Sequence, residues 1–467
     1  MLKRSVFLSL SLLVLIGGCS QQAAVLPKPE GSNAFQSASV LLVEDTGEQL
    51  QASPIDPVTL QNLPGDTALR LGHHYSYAAS PDSKRLAFVI WPTGEGQENG
   101  ELHLIDTTTW LDAKMDGISL TDASQLCFHH DGSQLFWVEP ASRSYPAAFR
   151  LTRYDLEKKR ASSIVDFPES FIPTQLRLMP GGREMAVYGE WDSRREQMLE
   201  APELFSVDLE TNQVRARLSL DGMDIQEGSD SIFHTLSPGL AWDLQRKRLY
   251  IAHADEEKLT VVNLDTFAIE KQAEIRPARS VFGKLFGWLV PAAQAKLAAG
   301  TQMRAELSAD GAFLYVTGVR RELHNQASDV VISESPLGLR VIATSDASEV
   351  ERLPIPVDDV HLTPDGKYLL LTGAIRRQEL GRPYQQPRGA GLYVYEAKAE
   401  HLKQLARLEP DSVVHVAGFT ADSRYAYTTQ RTESDKEVWN VVDLKDARVV
   451  TSRQSSRWFL DVVPLVR

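Results

Sequence analysis

The chain alternates short apolar runs with polar turns, and one composite pattern recurs from about residue 70 onward. A short strand ends in a turn resembling Ser-Pro-Asp-Gly, and a strongly hydrophobic strand follows at once. The copies are Ala79-Ser80-Pro81-Asp82 before RLAFVIW, Phe128-His129-His130-Asp131-Gly132 before QLFWV, and Leu178-Met179-Pro180-Gly181-Gly182 before REMAVYG. Leu236-Ser237-Pro238-Gly239 precedes RLYIAHA after a few extra residues. Leu307-Ser308-Ala309-Asp310-Gly311 precedes FLYVTGV, Leu362-Thr363-Pro364-Asp365-Gly366 precedes YLLLTGA, and Phe419-Thr420-Ala421-Asp422-Ser423 precedes RYAYTTQ. The turn recurs roughly every 50 to 70 residues, a period that signals a repeat architecture. Each copy continues with a third strand, such as PELFSVDLET or KLTVVNLDT, and a fourth, such as QVRARLSL or HLKQLARL. Asp-Gly tolerates positive φ and suits the tight first turn. The runs rich in Val, Leu, Tyr and Phe suit strands buried on both faces.

Four antiparallel strands per repeat describe a β-propeller blade, so the expected fold is all-β. The stretch from Arg248 to Thr266 resembles the YVTN or YncE-like repeat, and the Ser-Pro-Asp-Gly turns resemble those of WD40-like and TolB-like propellers. The resemblance spans about 400 residues and implies a fold, not an activity. Strands at Ala38–Val43, Gln49–Asp56 and Val58–Leu63 lack a first partner, and Trp458–Val466 reads as a lone first strand. Together they would form a composite blade, giving eight blades, or seven if the N-terminal strands lie outside the ring. Closure removes exposed sheet edges.

Residues 1–18 read as an address. Lys3 and Arg4 precede an apolar run from Val6 to Ile16, too short to span a bilayer, which ends in Ile16-Gly17-Gly18-Cys19-Ser20. This resembles a bacterial lipobox and implies lipidation of Cys19, cleavage before it, and membrane anchoring of an exported protein. Ser20 is not the Asp that marks inner-membrane retention, which points to the outer membrane where the source has two. The polar residues 19–37 read as a tether, and 38–467 as one propeller domain. Cys127 is the only other cysteine, so no internal disulfide stands beside a lipidated Cys19.

Composition then narrows the partners. The 467 residues carry 49 Lys+Arg against 62 Asp+Glu, a net charge of −13. That balance excludes a dedicated nucleic-acid binder. Arginines nevertheless concentrate where the loops after the second strands should lie, on one face of the ring: Arg194, Arg195, Arg320, Arg321, Arg376, Arg377, Arg382, Arg388 and Arg431. Their forks suit carboxylates and phosphates, and hence an envelope protein or another anionic ligand. The bland alternative pairs them with neighbouring acids such as Glu196, Glu322, Glu379 and Glu433. The insertion 277–300 shows helical spacing: Val281, Leu285 and Trp288 on one stripe, Phe282, Phe286 and Leu289 on another. It reads as a short helix broken at Pro291 with a second Ala-rich turn, either packed on the rim or touching membrane or partner through Phe282, Phe286 and Trp288.

The expected first strands carry polar residues: Arg177, His234, Arg304, Glu306, Asp359, His361 and His415, with Tyr75 and Tyr77 nearby. They form a candidate ligand site at the central channel mouth, although a wet channel needs polar walls anyway. Other motifs fail. Cys127, His129 and His130 lack a second ligand group at recognisable spacing, so no metal is expected. His73-His74 reads as a loop pair. Asp45-Thr46-Gly47 has no second copy to make a carboxylate dyad and reads as a hairpin turn. There is no G-x-S-x-G, P-loop, H-E-x-x-H or G-x-G-x-x-G after a strand, and no cofactor is expected. The resulting expectation is a lipid-anchored binding or scaffold module of the cell envelope. The alternative is a lactonase-like or other hydrolase with its site at the channel mouth.

Overall fold

The computed structural model describes residues 40–45, 50–63, 69–72, 75–90, 100–107, 112–115, 124–141, 148–191, 201–223, 236–276, 296–326, 329–379, 386–398, 401–431, 437–455 and 458–464. Among these residues the chain is all strand and turn, without a helix. It is a β-propeller of four-stranded antiparallel sheets. Eight sheets form among the described residues, seven of four strands and one of eight.

In chain order, the first sheet begins at Tyr75–Ala79, the second at Ser124–Phe128 and the third at Phe171–Leu178. The fourth begins at Gly239–Asp243, the fifth at Lys296–Leu307, the sixth at Asp359–Leu362 and the seventh at Val414–Phe419. The remaining sheet is composite: Trp458–Pro464 pairs with Val40–Asp45, followed by Leu50–Ile55 and Leu69–Gly72. Apolar clusters fill the seams between successive sheets from the first to the composite one. Leu69–Gly72 then lies beside Arg85–Ile90 of the first sheet. Second strands are buried on both faces, as in Leu86–Val89, whereas fourth strands such as Gln213–Ser219 are largely exposed.

The repeated turn has a local cause. The Thr363 hydroxyl donates to Asp365 Oδ1 at 2.8 Å and accepts from Tyr368 N at 3.0 Å. Ser80 with Asp82, Ser308 with Asp310, and Thr420 with Asp422 repeat this geometry. The fourth turn position needs φ near +70°, which Gly132, Gly311 and Gly366 supply without strain.

Four expectations need correction. Val58–Leu63 is a turn, not a strand, because Asp56 Oδ1 accepts from the backbone N–H groups of Val58 and Thr59 at 3.0 and 2.7 Å. Leu69–Gly72 takes the vacant strand position. Leu236-Ser237-Pro238-Gly239 leads into the inner strand of the fourth sheet; the turn beyond it is built on Asp243, whose Oδ1 accepts from Arg246 N at 2.9 Å. Lys296–Gly300, assigned to a helical insertion, belongs to the strand Lys296–Leu307, whose partner Phe313–Gln326 extends well past the usual length and holds it in register. The rest of that insertion, with Phe282, Phe286 and Trp288, lies outside the described residues.

The last correction concerns the arginines. Arg320 and Arg321 lie within the strand Phe313–Gln326, and Arg376 and Arg377 within Ala374–Glu379. The supposed loops zip together: Asp329–Pro336 returns along Phe313–Gln326 and pairs on its other side with Ala374–Glu379, joining the fifth and sixth sheets.

Candidate functional site at the central axis

The inner strands carry one class of position that faces the following sheet. Cys127, opposite Phe136, fills it with core in the second sheet. The third, fifth, sixth and seventh sheets fill it with polar groups, in two tiers defined by register. Arg177, Glu306 and His361 stand opposite Ala186, Tyr315 and Leu370, each the third residue of its second strand. Gln175, Arg304, Asp359 and His415 stand opposite Tyr188, Thr317, Thr372 and Thr429, each the fifth. Repeat architecture thus converts four separate strands into two polar belts around the axis.

Asp359 is the hub. Its Oδ1 pairs with Arg304 Nη1 from the neighbouring sheet and accepts from Val360 N at 3.0 Å, and its Oδ2 lies 3.1 Å from His361 Nε2. Burial would raise the Asp359 pKa, but His361 and Arg304 outweigh it and hold the carboxyl well below its usual range. Burial would likewise lower His361, yet the facing Asp359 carboxylate, joined by Glu306, raises it. Glu306 answers mainly to burial, which pushes it up to about 7 despite His361 and Arg177. Asp358 is pushed to about 6 by burial and the adjacent Asp359, against a 3.5 Å hydrogen bond donated by Ala374 N. His415 is lowered by its packed surroundings and by the charge of Arg376.

Arg177 sits differently. Its guanidinium lies 5.8 Å from the Trp242 ring centre, and Nη1 donates to Leu176 O at 2.8 Å. Trp242 is itself pinned: its Nε1 donates to Gln175 Oε1 at 2.7 Å across the seam.

The structure therefore brings Arg304, Asp359 and His361 together, with Glu306 and Arg177 on the same belts. Tyr77 turns away to pack 5.9 Å from Phe88, and Tyr75 lies opposite Ile90. His234 lies outside the described residues, as do Cys19, Arg194, Arg195, Arg382 and His73-His74. Asp358, Gln175 and Trp242 were missed from sequence. Gln175 shares the face of Arg177 by simple alternation and was findable; Trp242 was hidden by the misplaced turn of its sheet.

The basic face is largely neutralised among the described residues. Arg320 pairs with Glu322 at 3.2 Å, and Arg388 lies 3.6 Å from Asp411. Arg321 and Arg376 converge on Glu334, which is only 9% exposed. His129 Nδ1 lies 2.7 Å from Asp131, while His129 Nε2 and His130 Nε2 reach the backbone carbonyls of Gly182 and Met179 at 3.1 and 3.0 Å. These imidazoles tie the turns of the second and third sheets.

No protein-family model matches the chain, and no curated protein sequence matches it significantly. Solved structures do share the fold. The dihydro-heme d1 dehydrogenase NirN, solved in complex with DHE, is 13% identical with a TM-score of 0.51, over 94% of this chain and 78% of that one. The Pseudomonas aeruginosa periplasmic gluconolactonase PpgL is 11% identical with a TM-score of 0.43, over 90% and 98%. A putative 6-phosphogluconolactonase from Bacteroides uniformis is 13% identical with a TM-score of 0.43, over 81% and 99%. At 13% identity the likeness to NirN speaks for the fold alone.

Proposed function

We propose that this protein is a lipid-anchored propeller of the cell envelope that binds a small anionic ligand at its central axis. Anchoring rests on the lipobox-like Ile16-Gly17-Gly18-Cys19. The observation that supports the ligand reading is the charge balance of the two belts. Arg177, Arg304 and His361 converge there, with Arg376 close enough to lower the neighbouring His415. Against them, Asp359 is already engaged by Arg304 and His361, while Glu306 and Asp358 are driven by burial towards their neutral forms. The surplus is positive, among side chains only partly open to solvent, where a charge acts more strongly than on an exposed surface. The pairing of Arg320, Arg321, Arg376 and Arg388 with acids shifts weight from a protein-binding basic face to this site.

The test is a thermal-shift screen of small carboxylates and phosphates on the full-length protein at pH 6 and pH 8, beside Arg304→Ala. Binding should strengthen at pH 6, where Glu306 loses its charge, and weaken in the variant. A screen in which no anion shifts the melting temperature at either pH overturns the reading.

A second reading, a lactonase-like or other hydrolase, has one observation in its favour. Glu306 and His361 share a belt and influence one another, and both are held towards their protonated forms, Glu306 by burial and His361 by the facing Asp359, as a general acid requires.

A further inference from the structure

The anion-site reading leaves open which group grips the charge. Arg304 is committed to Asp359, and His361 shares that same carboxylate. Arg376 is committed to Glu334. Arg177 differs in kind. Its contacts among the described residues are the Trp242 ring and a backbone carbonyl, and Glu306, the carboxylate it acts on, is pushed towards its neutral form. Only one of its two terminal nitrogens is tied to Leu176 O.

The indole beneath Arg177 cannot rotate freely, because Gln175 holds its Nε1. The Arg177 guanidinium carbon stands 5.8 Å from that ring centre, within cation–π range, and the nitrogens not tied to Leu176 O remain available. An arginine fork with free nitrogens can take a carboxylate through two parallel hydrogen bonds. Beside this fork, the belts offer Glu306 and His361 on one tier and Asp359 on the other. Asp359 and His361 already engage one another, but Glu306 has no side-chain hydrogen bond among the described residues, and an apolar ligand body would leave it without one. Ligand hydroxyl groups would satisfy it.

Resting on the anion-site reading, we propose that Arg177 is the carboxylate-binding residue of the central site. Trp242 and Gln175 are its positioning residues, and the ligand class is a polyhydroxylated monocarboxylate.

The experiment is calorimetric titration of the full-length protein with gluconate, hexanoate, glucose and inorganic phosphate. Wild type is compared with Arg177→Lys, Arg304→Ala and Gln175→Leu, each checked for an unchanged melting temperature. Gluconate should bind more tightly than hexanoate, which lacks the hydroxyls, and glucose, which lacks the charge. Arg177→Lys keeps the charge but loses the fork and should weaken gluconate about tenfold. Gln175→Leu frees the indole and should weaken gluconate a fewfold while leaving the pH dependence intact. Two results overturn the inference yet leave the anion site standing: phosphate or hexanoate binding as well as gluconate, or gluconate binding lost in Arg304→Ala but unchanged in Arg177→Lys. Absence of binding by all three anions overturns both.

Discussion

Asp359 and His361 sit two residues apart on one inner strand, and their side chains meet at 3.1 Å. Alternation places i and i+2 on the same face of a strand, so the contact is local. The Arg304 contact that completes the chain comes from a strand 55 residues earlier and is a product of the ring. Replacing Asp359 with Asn should therefore lower the His361 pKa by about one unit. Side-chain NMR titration of His361 in both proteins measures this directly. An unchanged value would show that Asp359 does not govern the imidazole.

Glu306 gives a stability prediction with a definite sign. Its folded pKa of about 7 exceeds its ordinary value of 4.5. Such a group stabilises the fold relative to its ionised form below the unfolded pKa, and that contribution disappears as pH rises through 7. Glu306→Gln should thus be more stable than wild type at pH 8, by on the order of 2 kcal/mol. The difference should shrink towards pH 4.5. Urea unfolding across that range tests it.

Glu334 titrates in the opposite sense. Burial would raise it, but Arg321 and Arg376 outweigh burial and lower its pKa. Its contribution is present above the ordinary carboxylate pKa and is lost as pH falls through the depressed value. Glu334→Gln should cost about 1–3 kcal/mol at pH 7, since both arginines keep partial access to water. It should also loosen the pairing of Asp329–Pro336 with Ala374–Glu379, read as faster amide exchange at Ser333 and Arg377.

Cys19→Ala should release the protein from membranes or leave its leader uncleaved. Fractionation and intact-mass measurement distinguish the two. Normal acylation of the variant would remove the lipid anchor from the account.

What was legible in sequence follows from range. The Ser/Thr-x-Asp-Gly turns are self-contained, since Thr363, Asp365 and Tyr368 satisfy one another within six residues, and the repeat could be read from them. The hairpin strands after each turn were equally plain, because an apolar run such as Leu369 to Leu371 has nowhere to go but a core. Val58–Leu63 misled because Asp56 caps a turn that burial of Leu60 then locks in place. The polar inner-strand residues stood out as candidates, but which of them meet did not. Arg304 and Asp359 become partners only through the spacing of neighbouring sheets. The arginine face misled for the same reason, since Glu334 lies well away in sequence from Arg376.

The pairing of Val40–Asp45 with Trp458–Pro464 has a temporal consequence. Val40–Asp45 is synthesised long before the strand it pairs with. Until that strand arrives, Val40 to Val43, all fully buried in the finished protein, face an open seam. Such distant pairing is slow to form. Ring closure therefore hangs on the pairing most distant in sequence, and the seam stays open until Trp458–Pro464 docks.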